Sequence, residues 1–286
     1  MDLVSAIITT HNRKELLKRA IDSVFAQTYP NIELIVVDDH SEDGTYEVCN
    51  DSRIKYIFIP KEESKGGNYA RNLGIKSSKG KYCAFLDDDD YWLPEKIEKQ
   101  YKLAEKNKAG CIYCLREFEI RDGKKFSRWM EPSNKPQGDL QNSIFRHYIT
   151  STSCLLISKS ILIEIEGFDE NILKWQEYEL MIRLSEISEI YFVPEYLCIY
   201  LSDRNDKQRI SNQTDRLRGT IKYIKGKYNN RINALPFKDR IQFDYMCKVD
   251  IYKLEKKKKK YCSQSLFIIK ILFLKVLIML SNIFSS

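Results

Sequence analysis

The sequence is poor in histidine, proline and glycine: its 286 residues include 3 His, 7 Pro and 11 Gly. Because apolar residues make up 43% of the chain, a collagen-like chain, a coiled coil and wholesale disorder are excluded. No internal repeat is present either. A chain of this length can form one large α/β domain or two smaller ones, with enough volume for a buried core.

Paired cysteine motifs are also lacking. The eight cysteines lie mostly inside apolar runs, and the close pair Cys111 and Cys114 has neither a second CxxC nor paired histidines. Such a pair could form half of a zinc site or a redox motif, but we favour the interpretation that these cysteines are reduced and lie on buried strands. Met1–Ile8 has no basic region of the kind that opens a secretory signal. We therefore expect a cytoplasmic protein.

Excess positive charge is missing from most of the chain, although the net charge is +7. Residues 216–262 alone carry a net charge of +11, and Lys270 and Lys275 add two more positive charges. The remainder of the chain therefore has a net charge of −6. Because the basic region is confined to the tail, we expect no nucleic-acid partner.

In the first half of the sequence, short apolar runs alternate with segments of helical periodicity. These runs predict strands at Val4–Thr9, Ile32–Val37, Ile54–Ile59 and Tyr82–Leu86. Helices are predicted at Arg13–Phe25, Glu42–Asn50 and Gly67–Ser77, and a further helix with Pro94 at its first position. The alternation is typical of a mostly parallel central sheet flanked by crossover helices.

The second half is less regular. It predicts strands at Cys111–Phe118, Ser153–Ile157 and Ile190–Val193, the last one ended by Pro194. A helix is predicted at Glu177–Ile187, and residues 126–142 read as a long loop. After about residue 200 the pattern is helical and basic, so we expect a C-terminal helical extension.

Three predicted strand ends carry polar residues: Thr9–Asn12, Asp38–Asp39 and Asp87–Asp90. In an open α/β sheet, ligands bind outside the carboxyl ends of parallel strands. So many carboxylates would repel one another unless a cation lay among them, and Mg²⁺ or Mn²⁺ with a diphosphate meets that need. A solvated turn explains a single aspartate better, but not four in a row. The first strand end lacks a G-x-G-x-x-G motif, which excludes a Rossmann dehydrogenase.

Several longer blocks stand in a fixed order along the chain. They are Val4–Arg13, Gln27–Thr45, Ala70–Ile75, Phe85–Pro94, and the pair Gly167–Glu170 and Trp175–Leu184. Together they resemble the signature of family-2 glycosyltransferases, which are inverting, nucleotide-sugar-dependent enzymes with the GT-A fold. The match spans about residues 3 to 200. Five blocks in the right order at the right spacing are far more specific than any one of them.

The resemblance implies roles for residues at the donor site. Thr9, His11 and Asp39 match positions that hold the base and ribose of the nucleotide. Arg71 would face the nucleotide, although without its block an exposed helix arginine would be the better interpretation. A metal-dependent hexosyltransferase is implied, with Mn²⁺ or Mg²⁺ as cofactor and a UDP-sugar as the expected donor.

Asp87, Asp88 and Asp89 cover the DxD position of the family. The resemblance assigns Asp87 and Asp88 to the nucleotide sugar and Asp89 to the metal, while Asp90 is expected to cap the next helix. Many relatives place a metal-binding histidine after the last core strand, but residues 202–207 contain none. Either Asp203 or Asp206 substitutes, or the metal relies on Asp89, the diphosphate and water.

The general base is implied at the start of the helix after Gly167–Glu170. The family commonly has a Glu-Asp pair there, whereas this sequence has Gln176 and Glu177. The base position therefore falls on Glu177, whose pKa burial could raise towards the working pH. Glu179 is the alternative, although a surface glutamate is the favoured interpretation of that residue.

The tail predicts membrane association. Lys256–Lys260 would be attracted to anionic lipid, and Leu266–Phe284 approaches the length that spans a bilayer but contains Lys270 and Lys275. We favour an interfacial or shallowly inserted helix over one packed on protein. The expected domains are 1–205 for catalysis, 206–262 as a basic helical extension and 263–286 as a membrane-associating helix. Peripheral attachment to the inner face of the cell membrane follows.

The acceptor is expected to be a saccharide or a lipid-linked saccharide in polysaccharide biosynthesis. Roughly residues 126–152, outside the recognised blocks, form the expected region of acceptor choice. Two alternatives stay open: a non-catalytic carbohydrate- or lipid-binding module, because of the change at Gln176 and Glu177, and a nucleotidyltransferase. A Gly-rich basic phosphate loop near the first strand, which would favour the nucleotidyltransferase, is absent. A homo-oligomer is compatible with the sequence.

Overall fold

The computed structural model describes residues 1–122, 125–203, 214–257, 272 and 274–276. Its strands are β1 (Val4–Thr10), β2 (Ile32–Asp39), β3 (Ile54–Ile59), β4 (Tyr82–Asp87), β5 (Tyr91–Trp92), β6 (Cys111–Asp122), β7 (Lys125–Met130), β8 (Leu155–Ser158) and β9 (Ile190–Asp203). Its helices are α1 (Lys14–Phe25), α2 (Thr45–Val48), α3 (Gly67–Ser77), α4 (Lys96–Asn107), α5 (Lys159–Glu164), α6 (Gln176–Ile187), α7 (Thr214–Lys227), α8 (Asn229–Ala234) and α9 (Phe237–Lys257). Short 3₁₀ turns occur at Lys61–Glu63, Ile144–Arg146 and Thr152–Cys154.

The strands form one sheet in the order β3-β2-β1-β4-β8-β6-β9-β5, with β7 paired to β6. β1 lies between β2 and β4, and all three pairings among β1 to β4 are parallel. β1 is buried along almost its whole length, as expected for a parallel strand with helices on both faces of the sheet. The predicted parallel first half of the sheet is confirmed.

The second half of the chain extends the sheet through both antiparallel and parallel pairings. β8 pairs antiparallel with β4 and β6, whereas β9 lies parallel to β6. The prediction of a loop from residue 126 was wrong for its first five residues, because Lys125–Met130 form β7 in a hairpin with β6.

The predicted end of the last strand at Pro194 was also wrong, since β9 continues to Asp203. Cys114 pairs with Val193 and Leu115 with Tyr196, so Pro194 and Glu195 lie outside the ladder. A bulge of this kind accommodates a proline, which has no N–H to donate.

Two helix predictions need correction. α2 is a single turn rather than a helix over Glu42–Asn50. α4 begins at Lys96, so Pro94 lies before the helix and not at its first position. The carbonyl of Pro94 instead accepts a hydrogen bond from the Thr28 amide at 2.9 Å, which connects the end of α1 to the start of α4.

Helices cover both faces of the parallel strands. Apolar residues of α1 and α4, such as Leu17 and Ile97, pack with Ala6 and Ile8 of β1 in one buried cluster. On the other face α3 approaches β1 so closely that a Cβ at Gly74 would lie 2.4 Å from Ile7 Cγ2. Glycine at this position therefore sets how near α3 comes to the sheet.

The described chain divides into two compact units. One contains residues 1–140, 149–170 and the chain from 176 through β9; the other contains residues 141–148 and 171–175 together with the described residues after 207. In the second unit Phe145 packs against Tyr228 and Phe243, with ring centroids 6.1 and 5.7 Å away. The expected helical extension is confirmed for residues 214–257.

The predicted domain boundaries at 205 and 262, and nearly all of Leu266–Phe284, lie outside the described residues. Within the part of the chain that is described, no helix combines the length and apolar character needed to cross a bilayer. The seven described cysteines are buried and form no disulfide bonds, which agrees with the preference for reduced strand cysteines.

Candidate active site

The polar strand ends meet at one edge of the sheet. β1 lies between the other two strands, so that Thr10 pairs with Asp38 of β2 and Thr9 with Asp87 of β4. The convergence expected from the parallel topology is therefore present. The segment Asp87–Asp90, called the acidic loop below, begins with the last residue of β4 and leads to β5.

Arg13 and Thr10 hold the middle of the acidic loop. Arg13 Nη1 lies 3.1 Å from Asp88 Oδ1 and 3.2 Å from Asp89 Oδ2, and Thr10 Oγ1 donates to Asp88 Oδ2 at 2.8 Å. Burial raises the pKa of Asp88 to about 7, against the lowering effect of the Arg13 guanidinium. Sequence reasoning did not single out Arg13, although it ends the first of the recognised blocks.

The two ends of the acidic loop are held differently. Asp87 accepts a hydrogen bond from Arg71 Nη2 at 2.6 Å, while Arg19 Nη2 donates to the carbonyl of Asp89 at 2.7 Å. Asp90 is fully buried and accepts from Ser153 Oγ at 2.6 Å and from the Leu201 amide at 3.1 Å. The expectation that Asp90 caps the next helix was wrong, because its carboxylate instead links the loop to β9 and to the 3₁₀ turn Thr152–Cys154.

Arg71 is not an exposed helix arginine. It is buried on α3, where Nη1 also donates to Asn68 Oδ1 at 3.2 Å. Its guanidinium lies 5.5 Å from the ring of Phe168. Arg71 therefore holds a positive charge beside Asp87, which pairs with Thr9 near the end of β1.

Asp38 and Asp39 have different surroundings. The buried Asp38 accepts hydrogen bonds from Tyr56 Oη at 2.6 Å and from the Ser41 amide at 2.9 Å, which hold the turn after β2. Asp39 is partly exposed, and its carbonyl accepts a hydrogen bond from Nδ1 of the exposed His11. The ring centroids of His11 and His40 lie 4.3 Å apart. Thus His11 and Asp39 form one accessible group, while Asp38 has a structural role.

The block that begins at Gly167 docks on α3 through two asparagines. Asn72 Nδ2 donates to the Phe168 carbonyl at 2.9 Å, and Asn72 Oδ1 accepts from the Phe168 amide at 2.8 Å. Asn68 Nδ2 donates to the carbonyl of Asp169 at 2.8 Å. Gly167 has φ +66°, and a Cβ there would lie 2.4 Å from Asn72 Oδ1. Sequence reasoning missed the role of both asparagines, which arises only from this long-range contact.

Both candidate bases lie on the first turn of α6 and both are buried. The preferred interpretation of Glu179 as a surface glutamate was wrong, because it is fully buried and pairs with Arg183 at 2.6 Å. Arg183 Nη1 also donates to the carbonyl of Gly167 at 2.7 Å. Glu179 therefore anchors α6 to the Gly167 turn, which leaves Glu177 as the better candidate for proton transfer.

The acidic loop fits a metal that is shared with a bound diphosphate. Over the described ranges, no set of three or more His, Cys, Asp or Glu side chains is arranged to hold a metal ion. Mg²⁺ needs no such set where one or two carboxylates act together with phosphate oxygens and water. Asp88 and Asp89, which both contact Arg13 Nη1, supply carboxylates of this type. The side chain of Asp203 and residue Asp206, the other proposed ligands, lie outside the described part of the structure.

The fold is that of GT-A glycosyltransferases. It resembles Staphylococcus aureus TarS 1–349, solved in complex with UDP-GlcNAc, with a TM-score of 0.63 and 15% identity over 94% of this chain and 76% of that chain. It also resembles the mannosyltransferase PcManGT from Pyrobaculum calidifontis, solved with GDP-Man and Mn²⁺. That TM-score is 0.59, at 14% identity over 97% of this chain and 87% of that one. At such identities the likeness concerns the fold alone.

Residues 5–165 match the model of glycosyl transferase family 2. An uncharacterised glycosyltransferase of Rickettsia prowazekii is 36% identical over 201 residues, which are 68% of this chain and 62% of that protein. The Escherichia coli protein WfaP, a UDP-Glc:alpha-D-GlcNAc-diphosphoundecaprenol beta-1,3-glucosyltransferase, is 45% identical over 116 residues, 40% of this chain and 45% of its own length. The chain belongs to glycosyl transferase family 2. It spans less than two thirds of the length of these two relatives.

Proposed function

We propose that this protein transfers a sugar, with inversion, from a UDP-sugar to a hydroxyl group of a saccharide or lipid-linked saccharide in polysaccharide biosynthesis. The observation that carries the proposal is the meeting of Thr9, Arg71, Asp87 and the rest of the acidic loop at one edge of a parallel sheet. The name of the E. coli relative supports a UDP-sugar donor and a lipid-linked acceptor.

The donor is proposed to lie along this edge. The accessible group of His11 and Asp39, with Thr9, would hold the base and ribose, since a carboxylate accepts hydrogen bonds from base N–H groups or ribose hydroxyls. Arg71, which forms an ion pair with Asp87 at 2.6 Å, would interact with a phosphate of the donor or orient Asp87 towards the ribose. Asp88, held by Thr10 and Arg13, would fix the shape of the loop around the nucleotide sugar.

Asp89 would hold Mn²⁺ or Mg²⁺ together with the diphosphate. When bound, such an ion acts as a Lewis acid that neutralises charge developing on the leaving diphosphate. Arg13 already places a positive charge at Asp88 and Asp89, so these carboxylates are kept together before a donor binds.

The proposed reaction is a single in-line displacement. The acceptor oxygen forms a bond to the anomeric carbon while the bond from that carbon to the diphosphate oxygen breaks. The acceptor proton passes to the carboxylate of Glu177. Burial of Glu177 favours this role, because desolvation raises the affinity of a carboxylate for a proton.

Replacement of Glu177 tests the assignment. Glu177→Gln keeps the size of the side chain but removes the proton acceptor, so we expect transfer to fall by about 10² to 10⁴-fold while UDP binding is retained. The exposed Glu186→Gln on the same helix serves as the control and should transfer at the wild-type rate. Transfer is measured as UDP release from a panel of UDP-sugars with Mn²⁺ and a lipid-linked saccharide acceptor, and UDP binding is measured by calorimetry. A Glu177→Gln protein with near wild-type transfer would place the base elsewhere.

The same assay separates enzyme from binding module. Wild-type protein should release UDP slowly from its donor without an acceptor, in a metal-dependent manner. If UDP itself binds but is released from none of the UDP-sugars in the panel, a non-catalytic module would be favoured.

Membrane association of the tail is the second part of the proposal. Lys256–Lys260 and the apolar residues after them would hold the catalytic unit at an anionic membrane, close to a lipid-linked acceptor. In a flotation assay with anionic vesicles, deletion of residues 263–286 should move the protein from the floating vesicle fraction to the bottom fraction. Replacement of the five lysines by glutamine should have a smaller effect in the same direction. Unchanged flotation of the deleted protein would refute membrane anchoring by this segment.

A further inference from the structure

Three neighbouring strands place aromatic rings side by side near the acidic loop. Phe118 of β6 pairs with Trp129 of β7 on one side and with Tyr200 of β9 on the other. The ring centroids of Phe118 and Trp129 are 4.8 Å apart, and those of Phe118 and Tyr200 are 5.3 Å apart. Trp129, Phe118 and Tyr200 are called the aromatic row below.

The aromatic row is held in place but open to solvent at one end. Trp129 is 52% exposed, whereas Phe118 and Tyr200 are half-buried. The guanidinium of Arg116 lies 4.9 Å from the Phe118 ring and 5.6 Å from the Tyr200 ring, and Arg116 Nε is 3.3 Å from Glu131 Oε2. Cross-strand pairing and the arginine therefore fix the rings before any ligand arrives.

The strands that carry Phe118 and Tyr200 contact the acidic loop and the residue after it. Tyr200 precedes Leu201, whose amide donates to Asp90 of the acidic loop at 3.1 Å. Phe118 precedes Glu119, which accepts a hydrogen bond from Tyr91 directly after the acidic loop at 3.2 Å. One residue beyond the aromatic row, β9 thus contacts the acidic loop and β6 contacts Tyr91, the residue that follows it.

We propose that the aromatic row binds a sugar ring of the acceptor, beyond the hydroxyl group that reacts. This proposal rests on the proposed glycosyltransferase function. The faces of aromatic rings carry partial negative charge, and a pyranose presents polarised C–H groups on its faces and hydroxyls at its edge. The rings supply the faces, and the exposed Trp129 adds an indole N–H that can donate a hydrogen bond to a hydroxyl at the edge of the sugar. A lipid chain would require no such donor.

Trp129 provides a direct measure of occupancy. The chain has three tryptophans, and Trp92 and Trp175 are only 2% and 7% exposed, so quenching by iodide reports mainly on Trp129. The probes are the methyl glycosides of glucose, N-acetylglucosamine, galactose and mannose. We expect at least one of them to protect the fluorescence from iodide and to shift the emission to shorter wavelength. Protection by none of the four would overturn the proposal, and so would protection by phosphatidylglycerol vesicles alone.

Variants locate the binding site by saturation-transfer NMR with the glycoside that protects Trp129. Trp129→Ala should weaken its binding by about 3 to 10-fold, whereas Trp129→Phe, which keeps a ring face, should retain most of it. Ile163→Ala removes an apolar side chain that is 63% exposed on α5 and should have no effect. Circular dichroism checks that each variant is folded. Equal binding by Trp129→Ala and wild type would overturn the proposal.

The outcome is separable from that of the proposed function. Donor hydrolysis by wild-type protein tests the glycosyltransferase without any acceptor, and glycoside binding tests the aromatic row without any donor. With the acceptor identified, Trp129→Ala should raise its KM by a similar 3 to 10-fold and leave kcat within about twofold, because the row contacts a ring away from the reacting bond. A fall in kcat at unchanged KM would contradict a binding role.

Discussion

Replacement of Arg13 by methionine should destabilise the protein in a manner that depends on pH. Burial raises the pKa of Asp88 to about 7 from an ordinary value of 3.8, so the folded state binds more protons than the unfolded state between these values. The free energy of unfolding therefore falls as pH rises through this interval and levels off above about pH 7. In Arg13→Met the lowering effect of the guanidinium is lost. The pKa of Asp88 rises further, and the fall in stability continues to higher pH.

The size of the effect follows from the geometry. An arginine beside a carboxylate lowers its pKa by about 1 to 3 units, and each unit corresponds to about 1.4 kcal/mol. Arg13 Nη1 is 3.1 Å from Asp88 but its side chain is 24% exposed, which favours the lower half of that range. We expect Arg13→Met to lose about 2 kcal/mol more stability at about pH 9 than at about pH 6.

The measurement is urea unfolding of both proteins in EDTA at the two pH values. Arg53→Met removes a surface pair in which Arg53 Nη2 lies 2.6 Å from Asp51, with 63% of the arginine side chain exposed. This control should change stability by about 1 kcal/mol or less at either pH. Adding Asp88→Asn to Arg13→Met should abolish the extra pH dependence. A loss of stability in Arg13→Met that is the same at both pH values would refute the reasoning.

Two further predictions concern α3. Gly74→Ala should destabilise the protein by about 1 to 3 kcal/mol, because the added Cβ would lie 2.4 Å from Ile7 Cγ2, and this outweighs the better helix propensity of alanine. As a control, Gly219→Ala on α7 has open space around its Cβ and should be neutral or stabilising in the same urea titrations. A stabilised Gly74→Ala protein would contradict the close packing of α3 on β1. Arg71→Met should weaken UDP binding about 10-fold in calorimetry, because a charged hydrogen bond contributes about 1.5 to 3 kcal/mol, whereas the exposed Lys76→Met should bind normally. Wild-type UDP affinity in Arg71→Met would restrict this arginine to a structural role.

Much of the first half of the fold could be predicted from local sequence patterns. The spacing of apolar residues distinguishes strands from helices, and strands joined through helices must lie parallel in one sheet. From that topology alone, the ends of β1, β2 and β4 had to share an edge, so the place of the candidate site was predictable. The acidic loop was recognisable because four aspartates after a buried strand have few structural explanations.

Contacts between distant segments were not predictable in the same way. Asp90 and Glu179 are charged residues, yet both are fully buried. Asp90 accepts a hydrogen bond from the distant Ser153, and Glu179 pairs with Arg183, which also donates to the Gly167 carbonyl. The extension of β9 past Pro194 depends on a bulge against β6, and local patterns predict a strand end at a proline.

The sequence by itself determined the alternation of strands and helices, the edge at which polar residues gather and the family to which the chain belongs. Only the tertiary structure decided that Asp88 and Asp89 both contact Arg13, and that Glu179 of α6 is held in an ion pair. It also decided that Trp129, Phe118 and Tyr200 lie side by side on three neighbouring strands. The physical reason is that periodicity reports a residue's immediate neighbours along the chain. Charge pairing and ring stacking depend instead on strand register, which long-range packing sets.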